Sequence, residues 1–149
     1  MRWATATERG PADEADEASF VALLFRLGGQ LHAVSLDGVE GVVRAKLVRR
    51  VPQPPSGLAG VLERGDETIP VADLCRRLEV EPRVGAHVVL HRSSGGLVGY
   101  LVEQAVGVRR VQRREVPDAV LRGGSAVNGM VDAGDETAFL LDLERVPNY

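Results

Sequence analysis

Residues 60–76 and residues 129–145 are two copies of one pattern. The first reads G-V-L-E-R-G-D-E-T-I-P-V-A-D-L-C-R and the second G-M-V-D-A-G-D-E-T-A-F-L-L-D-L-E-R. Eight of the 17 aligned positions are identical: Gly60/Gly129, Gly65/Gly134, Asp66/Asp135, Glu67/Glu136, Thr68/Thr137, Asp73/Asp142, Leu74/Leu143 and Arg76/Arg145. Apolar residues lie on both sides of a Gly-Asp step in each copy. That is the arrangement of a β-hairpin, in which glycine takes the positive φ of the turn and alternate flanking side chains face a core.

The repeat extends upstream. Leu31 to Val42 aligns with Leu97 to Val108, pairing Leu36 with Val102, Asp37 with Glu103 and Gly41 with Gly107. Each segment follows a glycine turn, Gly28-Gly29 and Gly95-Gly96. Both halves then pass through an irregular stretch, Val51-Pro52 or Val116-Pro117, before the Gly-Asp hairpin. A duplicated unit of this kind constrains the fold more than any single motif does.

Each half spans only about 60 residues, and a domain that small buries about 60% of its unfolded surface, against nearly 70% for the whole chain of 149 residues. The two units are therefore expected to share an apolar interface. Strands are expected at Phe20–Leu27, Leu31–Leu36, Gly60–Leu62, Thr68–Ala72, Ala86–His91, Leu97–Glu103, Val106–Val111, Gly129–Val131 and Thr137–Leu141. Leu36–Val43 reads as a helical turn or a twisted strand, and Asp73–Leu78 as a helical turn capped by Asp73. The prolines of Val51-Pro-Gln-Pro-Pro-Ser-Gly57 exclude a central strand there. Short strands with Gly, Pro and Ser turns predict a mostly β protein of small barrels.

Residues 1–18 carry Glu8, Asp13, Glu14, Asp16 and Glu17, with Trp3 the one large apolar group, and read as a flexible acidic tail. No run of 18 apolar residues and no signal peptide is present, so a cytoplasmic, soluble protein without direct membrane insertion is expected. A lone Cys75 forms no internal disulfide and reads as a buried, inert thiol. The net charge of −3 does not favour nucleic acid. Two basic clusters stand out locally: Arg44, Lys46, Arg49 and Arg50, then Arg109, Arg110, Arg113 and Arg114. They read as solvated strand ends, as a docking face for an acidic protein, or as a phosphate-binding surface. With three Phe, two Tyr and one Trp, platforms for base stacking are few.

The residues offer no reactive centre. His87 and His91 would lie about 13 Å apart on one strand, too far for one metal ion. His32 reads as a structural histidine. Arg122-Gly-Gly-Ser-Ala lacks the Gly-Lys-Ser/Thr ending of a phosphate loop. The paired carboxylates Asp66-Glu67 and Asp135-Glu136 are hairpin tips. No enzyme activity, cofactor or metal is expected.

The chain resembles the CheW-like domain family over residues 19–146. The resemblance rests on Phe25-Arg-Leu-Gly-Gly29, Val39-Glu-Gly-Val42, Pro52 with Pro54-Pro55, and Gly60-Val61-Leu62 followed by Ile69-Pro70-Val71-Ala72-Asp73-Leu74. In the second half it rests on Gly99-Tyr-Leu-Val-Glu103 and Gly129 through Leu143. It implies two packed five-stranded SH3-like β-barrels in residues 19–149, with strands near the chain ends exchanged and short helical turns. It also implies a noncatalytic chemosensory adaptor associated with receptor arrays. One barrel would bind the regulatory domain of a CheA-type histidine kinase, and the groove between barrels would take a chemoreceptor's helical tip. Other CheW-like domains are further implied partners. The partner-binding positions carried over are Val39, Gly41, Gly60, Arg64, Gly65 and Asp66.

Two positions depart from the family pattern. The usual Asn-Leu-Arg-Gly is Glu63-Arg64-Gly65-Asp66, with Arg and Gly one place early, and Gly41 stands where Val-x-Glu-Val has its carboxylate. A one-place shift on a strand turns a side chain to the opposite face. An accessory adaptor with one weakened contact, serving a specialised array such as one for gliding motility, is therefore an alternative to an ordinary coupling adaptor. A small-barrel nucleic-acid binder is a third reading.

Overall fold

The protein, here as a computed structural model, is described over residues 19–54, 57–80, 84–117 and 126–146. The acidic segment 1–18, Pro55-Ser56 and the Gly123-Gly124 stretch lie outside the described residues. Among the described residues ten strands run in chain order: β1 (Ser19–Leu27), β2 (Gln30–Ser35), β3 (Val39–Arg44), β4 (Leu58–Arg64), β5 (Glu67–Asp73), β6 (His87–Ser93), β7 (Gly96–Val102), β8 (Gln104–Arg114), β9 (Val127–Ala133) and β10 (Glu136–Leu141). A five-residue helix, α1 (Leu74–Leu78), follows β5, and 3-10 turns cover Ala45–Leu47 and Leu143–Arg145.

The strands form two five-stranded units. β1-β2-β10-β9-β8 closes into a barrel, and β3-β6-β7-β5-β4 forms the second sheet. Each unit combines a hairpin from one sequence half with three strands from the other, so strands are exchanged as the resemblance implies. The same parallel contact recurs at both junctions, β5 beside β7 and β10 beside β2. This is the mostly β, SH3-like architecture expected.

The repeated residues have repeated physical roles. Gly65 and Gly134, with φ of 61° and 71°, turn the two Gly-Asp hairpins. The Asp73 side chain accepts a hydrogen bond from the Arg76 amide and starts α1. Asp142 accepts from the Glu144 amide and starts the final 3-10 turn. Such caps satisfy backbone donors that a helical start leaves unpaired. The leucine after each aspartate, Leu74 or Leu143, is buried.

Leu74 and Leu143 meet in the largest apolar cluster, which lies between the two units. Leu23, Phe25, Leu27 and Val34 from the first barrel pack there with Val89, Tyr100 and Val102 from the second sheet. Buried Cys75 belongs to the same cluster. Each unit also has its own smaller core, around Val131 and Ala138 in the first and around Ile69, Val71 and Val88 in the second. Burying a large apolar side chain contributes about 1.5–3 kcal/mol, so the shared seam is a substantial part of the fold's stability.

Several boundaries differ from the sequence reading. Of the two readings of Leu36–Val43 the strand is the one found, and it begins only at Val39, as β3. β8 runs from Gln104 to Arg114, well beyond Val106–Val111, because β1 provides a pairing edge as far as Ser19. The second glycine turn is Ser94-Gly95, one residue earlier than expected: Ser93 pairs with Gly96, which leaves Gly96 inside β7.

Candidate partner-binding surface

All four strands that carry an upstream or hairpin glycine of the repeat contain a bulge. The extra residue is Glu40 in β3, Ala59 in β4, Val106 in β8 and Asn128 in β9. In each case the next residue is a paired repeat glycine: Gly41, Gly60, Gly107 or Gly129. A bulge leaves one residue unpaired and redirects the side chains around it.

Redirection is most consequential at Glu40. Arg64, the last residue of β4, donates from Nη1 to Glu40 Oε1 at 3.3 Å. Arg92 of β6 donates through Nη2 to the same oxygen at 3.2 Å and through Nε to Oε2. Arg92 also lies 3.9 Å from a Glu67 oxygen. The hydrogen bond from Arg92, followed by that from Arg64, holds the Glu40 carboxyl below the usual glutamate range. Thus the early arginine of the hairpin, Arg64, meets Glu40, the carboxylate one place before Gly41.

Because β3 and β4 are the two edges of the second sheet, the Arg64–Glu40 contact joins those edges by side chains. Backbone also ties β4 to the segment that follows β3, where Arg49 and Val61 exchange N–H···O bonds of 2.8 Å. Gly60 makes that approach possible, since a Cβ at residue 60 would collide with the Arg49 carbonyl and come within 2.8 Å of Val48 Cγ1.

The six carried-over positions therefore separate. Arg64, Gly65 and Asp66 are exposed on one hairpin tip. Arg64 reaches Glu40, the residue between Val39 and Gly41. Val39 is half-buried and packs against the shared core, whereas Gly60 is buried beneath the Arg49 backbone. Gly60 consequently affects the surface through the strand contact that it permits.

Sequence reasoning missed the exposed valines. Val42 on β3 is 37% exposed, and Val106 and Val108 on β8 are 52% and 54% exposed. Val42 and Val108 occupy equivalent repeat positions, each directly after a bulge glycine. Their equivalence in the alignment was the available signal. The two units thus present the same bulged strand, as Glu40-Gly41-Val42 in one and Val106-Gly107-Val108 in the other.

A groove at the seam has a volume of about 380 Å³ and draws Phe20, Val34 and Leu140 from the barrel and His91 from the second sheet. Buried His91 packs edge-on to Tyr100, with ring centroids 6.5 Å apart. Burial lowers its pKa, opposed by the charges of Glu144 and Asp142 and by a hydrogen bond to the Asp37 backbone. His32 lies between Phe25 and Phe139, with Nδ1 2.9 Å from the Gln30 carbonyl. That geometry assigns the Nδ1–H tautomer and a structural role. His87 Nδ1 accepts from the Ala105 amide at 3.1 Å. Among the described residues no group of three His, Cys, Asp or Glu side chains is arranged to hold a metal ion.

Comparison with known proteins places this geometry. Residues 21–148 match the model of the CheW-like domain. The chain belongs to the CheW-like domain family. It is 24% identical to the chemotaxis protein CheW of Treponema pallidum, over 88% of this chain and 84% of that protein. It is 32% identical to Protein FrzA of Myxococcus xanthus, over 82% of this chain and 81% of that one. The scaffolding protein TtCheW from Thermoanaerobacter tengcongensis has the same fold, with a TM-score of 0.71 at 21% identity, covering 83% of this chain and 88% of that one. Membership in this CheW-like family makes the chain a chemotaxis-type scaffold or adaptor. No helix among the described residues is long and apolar enough to cross a membrane.

Proposed function

We propose that this CheW-like protein is a noncatalytic adaptor that couples a chemoreceptor's helical tip to the regulatory domain of a CheA-type histidine kinase within a receptor array. The observation that carries this reading is the duplicated bulged strand. Two units joined through one apolar seam each expose a valine at the same repeat position, Val42 and Val108. Exposed apolar side chains on a rigid scaffold, bordered by charge, provide the core and rim of protein interfaces. The Glu40–Arg64–Arg92 network forms such a border beside Val42, with the proposed contacts Val39, Gly41, Gly65 and Asp66 around it.

Calorimetric titration against the cognate kinase regulatory domain, and separately against a receptor-tip fragment, tests this function. Micromolar binding to both is the expected result; binding to neither would overturn the proposal. Binding to the receptor alone would instead establish the accessory-adaptor reading. That second reading draws support from the higher identity to Protein FrzA than to the T. pallidum CheW.

A further inference from the structure

The second basic cluster is at the end of β8, beside the start of β1. Arg109, Arg110, Arg113 and Arg114 are all exposed. Arg114 pairs with Asp132 at 3.2 Å, Arg113 lies 5.1 Å from the Phe20 ring centroid, and Arg110 donates to Ser19 Oγ at 3.2 Å. Among the described residues, no carboxylate forms an ion pair with Arg109, Arg110 or Arg113. These like charges are close along one strand and raise the local positive potential.

Ser19 begins β1 and pairs with Gln112 of β8, and the next pair is Phe20 with Val111. The first described residue, Ser19, therefore lies beside Arg110 and Gln112, and Phe20 lies beneath Arg113. The residues before Ser19 include Asp13, Glu14, Asp16 and Glu17, with no Lys or Arg between Gly10 and Ser19. Continuing the β1–β8 register would bring position 17 opposite Arg114. Asp13, six positions before Ser19, has an extended reach of about 20 Å, whereas Arg110 and Arg114 are about 13 Å apart along the strand. Reach and charge therefore match, and the short tether keeps the effective concentration of carboxylates high.

We propose that the acidic segment Asp13–Glu17 docks on this chain's own arginines at the C-terminal end of β8. The segment acts as an internal counter-charge over Arg110, Arg113 and Arg114, and any acidic partner of that surface must displace it. Single exposed ion pairs are weak, so this is a salt-sensitive, exchangeable cover formed by several pairs. The inference is independent of receptor or kinase binding.

Arginine Nε–Hε resonances of the full chain test it. At low salt, the variant D13N/E14Q/D16N/E17Q should shift Arg110, Arg113 and Arg114 several-fold more than Arg44, Arg49 and Arg50. About 0.5 M salt should remove the difference. No shift, or an equal shift at all arginines as net charge alone would produce, overturns the proposal. A spin label on Ala12→Cys provides a second measurement, with Cys75 buried and shielded from labelling. It should broaden the amides of Val111–Arg114 in the acidic chain and lose that effect in the neutralised one. Unbroadened amides in the acidic chain would also overturn docking.

Discussion

Arg64 at the end of β4 and Glu40 at the bulge of β3 lie 3.3 Å apart, and their contact spans the two edges of the second sheet. Glu40 is also held by Arg92, so its carboxylate is fixed in direction although it is on the surface. Ion pairs this exposed contribute little to stability and more to the shape and charge of the surface.

Glu40→Ala should therefore leave the thermal midpoint nearly unchanged and weaken partner binding by about tenfold, as loss of an interface hot spot does. Arg64→Ala should reproduce part of that loss, and a double-mutant cycle should show coupling between the two. Additive effects in titrations of the four proteins would show that the two side chains act independently, and unchanged affinity in both single variants would remove the pair from the interface.

Three glycines should respond differently to alanine. Gly60→Ala drives a Cβ into the Arg49 carbonyl and should cost about 1–3 kcal/mol, as overpacking does. Gly65→Ala has open space but a φ of 61°, and should cost about 1 kcal/mol. Gly41→Ala also has open space, but its φ of 159° is one that residues with a side chain rarely adopt, so it should cost about 1 kcal/mol through backbone strain alone. Urea denaturation of the three variants checks these costs, and a tolerated Gly60→Ala would show that the Arg49–Val61 bridge is dispensable.

Val42→Asp and Val108→Asp place charge on exposed positions and should fold normally while weakening receptor or kinase binding. Val39→Asp places it against the shared core and should lower stability as well, by about 1–3 kcal/mol. Denaturation and titration together distinguish the cases. Full affinity of a folded Val42→Asp/Val108→Asp double variant would exclude both valines from the contact.

His32 and His91 both have pKa values lowered chiefly by burial. The folded state then favours the neutral rings, and the unfolded state binds more protons once pH drops below about 6.5. Stability should be full above that value, decline as pH falls through the lowered folded values, and level off beneath them. Replacing His32 with Phe should flatten part of the decline between pH 7.5 and 5, measured by urea unfolding. An unchanged slope would mean that His32 is not linked to folding in that range.

The repeat made both Gly-Asp hairpins legible and the residues made the Asp73-led helical turn legible, because each depends on local backbone chemistry; the equivalent turn after Asp142 was not read, although the repeat pairs Asp142 with Asp73. The repeat's alignment alone did not show which half's strands pair with which. Hydrogen bonding couples β2 to β10 and β5 to β7 across long stretches of sequence, and only the family resemblance implied that exchange. Bulges were hidden for another reason: the repeat glycines were visible, but an extra unpaired residue has no composition of its own. Gly41 was consequently read as the loss of a surface carboxylate, although the bulged residue before it, Glu40, reaches Arg64. Val106 and Val108 were read as ordinary strand residues because alternation does not report that β8 has an open edge along most of its length.

The exchange of strands also sets an order of manufacture. β3 to β7 occupy one continuous stretch and can associate as soon as β7 has left the ribosome. β1 and β2 are made first, yet their barrel stays incomplete until β10 emerges, roughly 100 residues after Ser35. The earliest-made strands are thus the last to be enclosed, and a stalled or shortened product would hold a finished inner sheet beside an unclosed apolar hairpin.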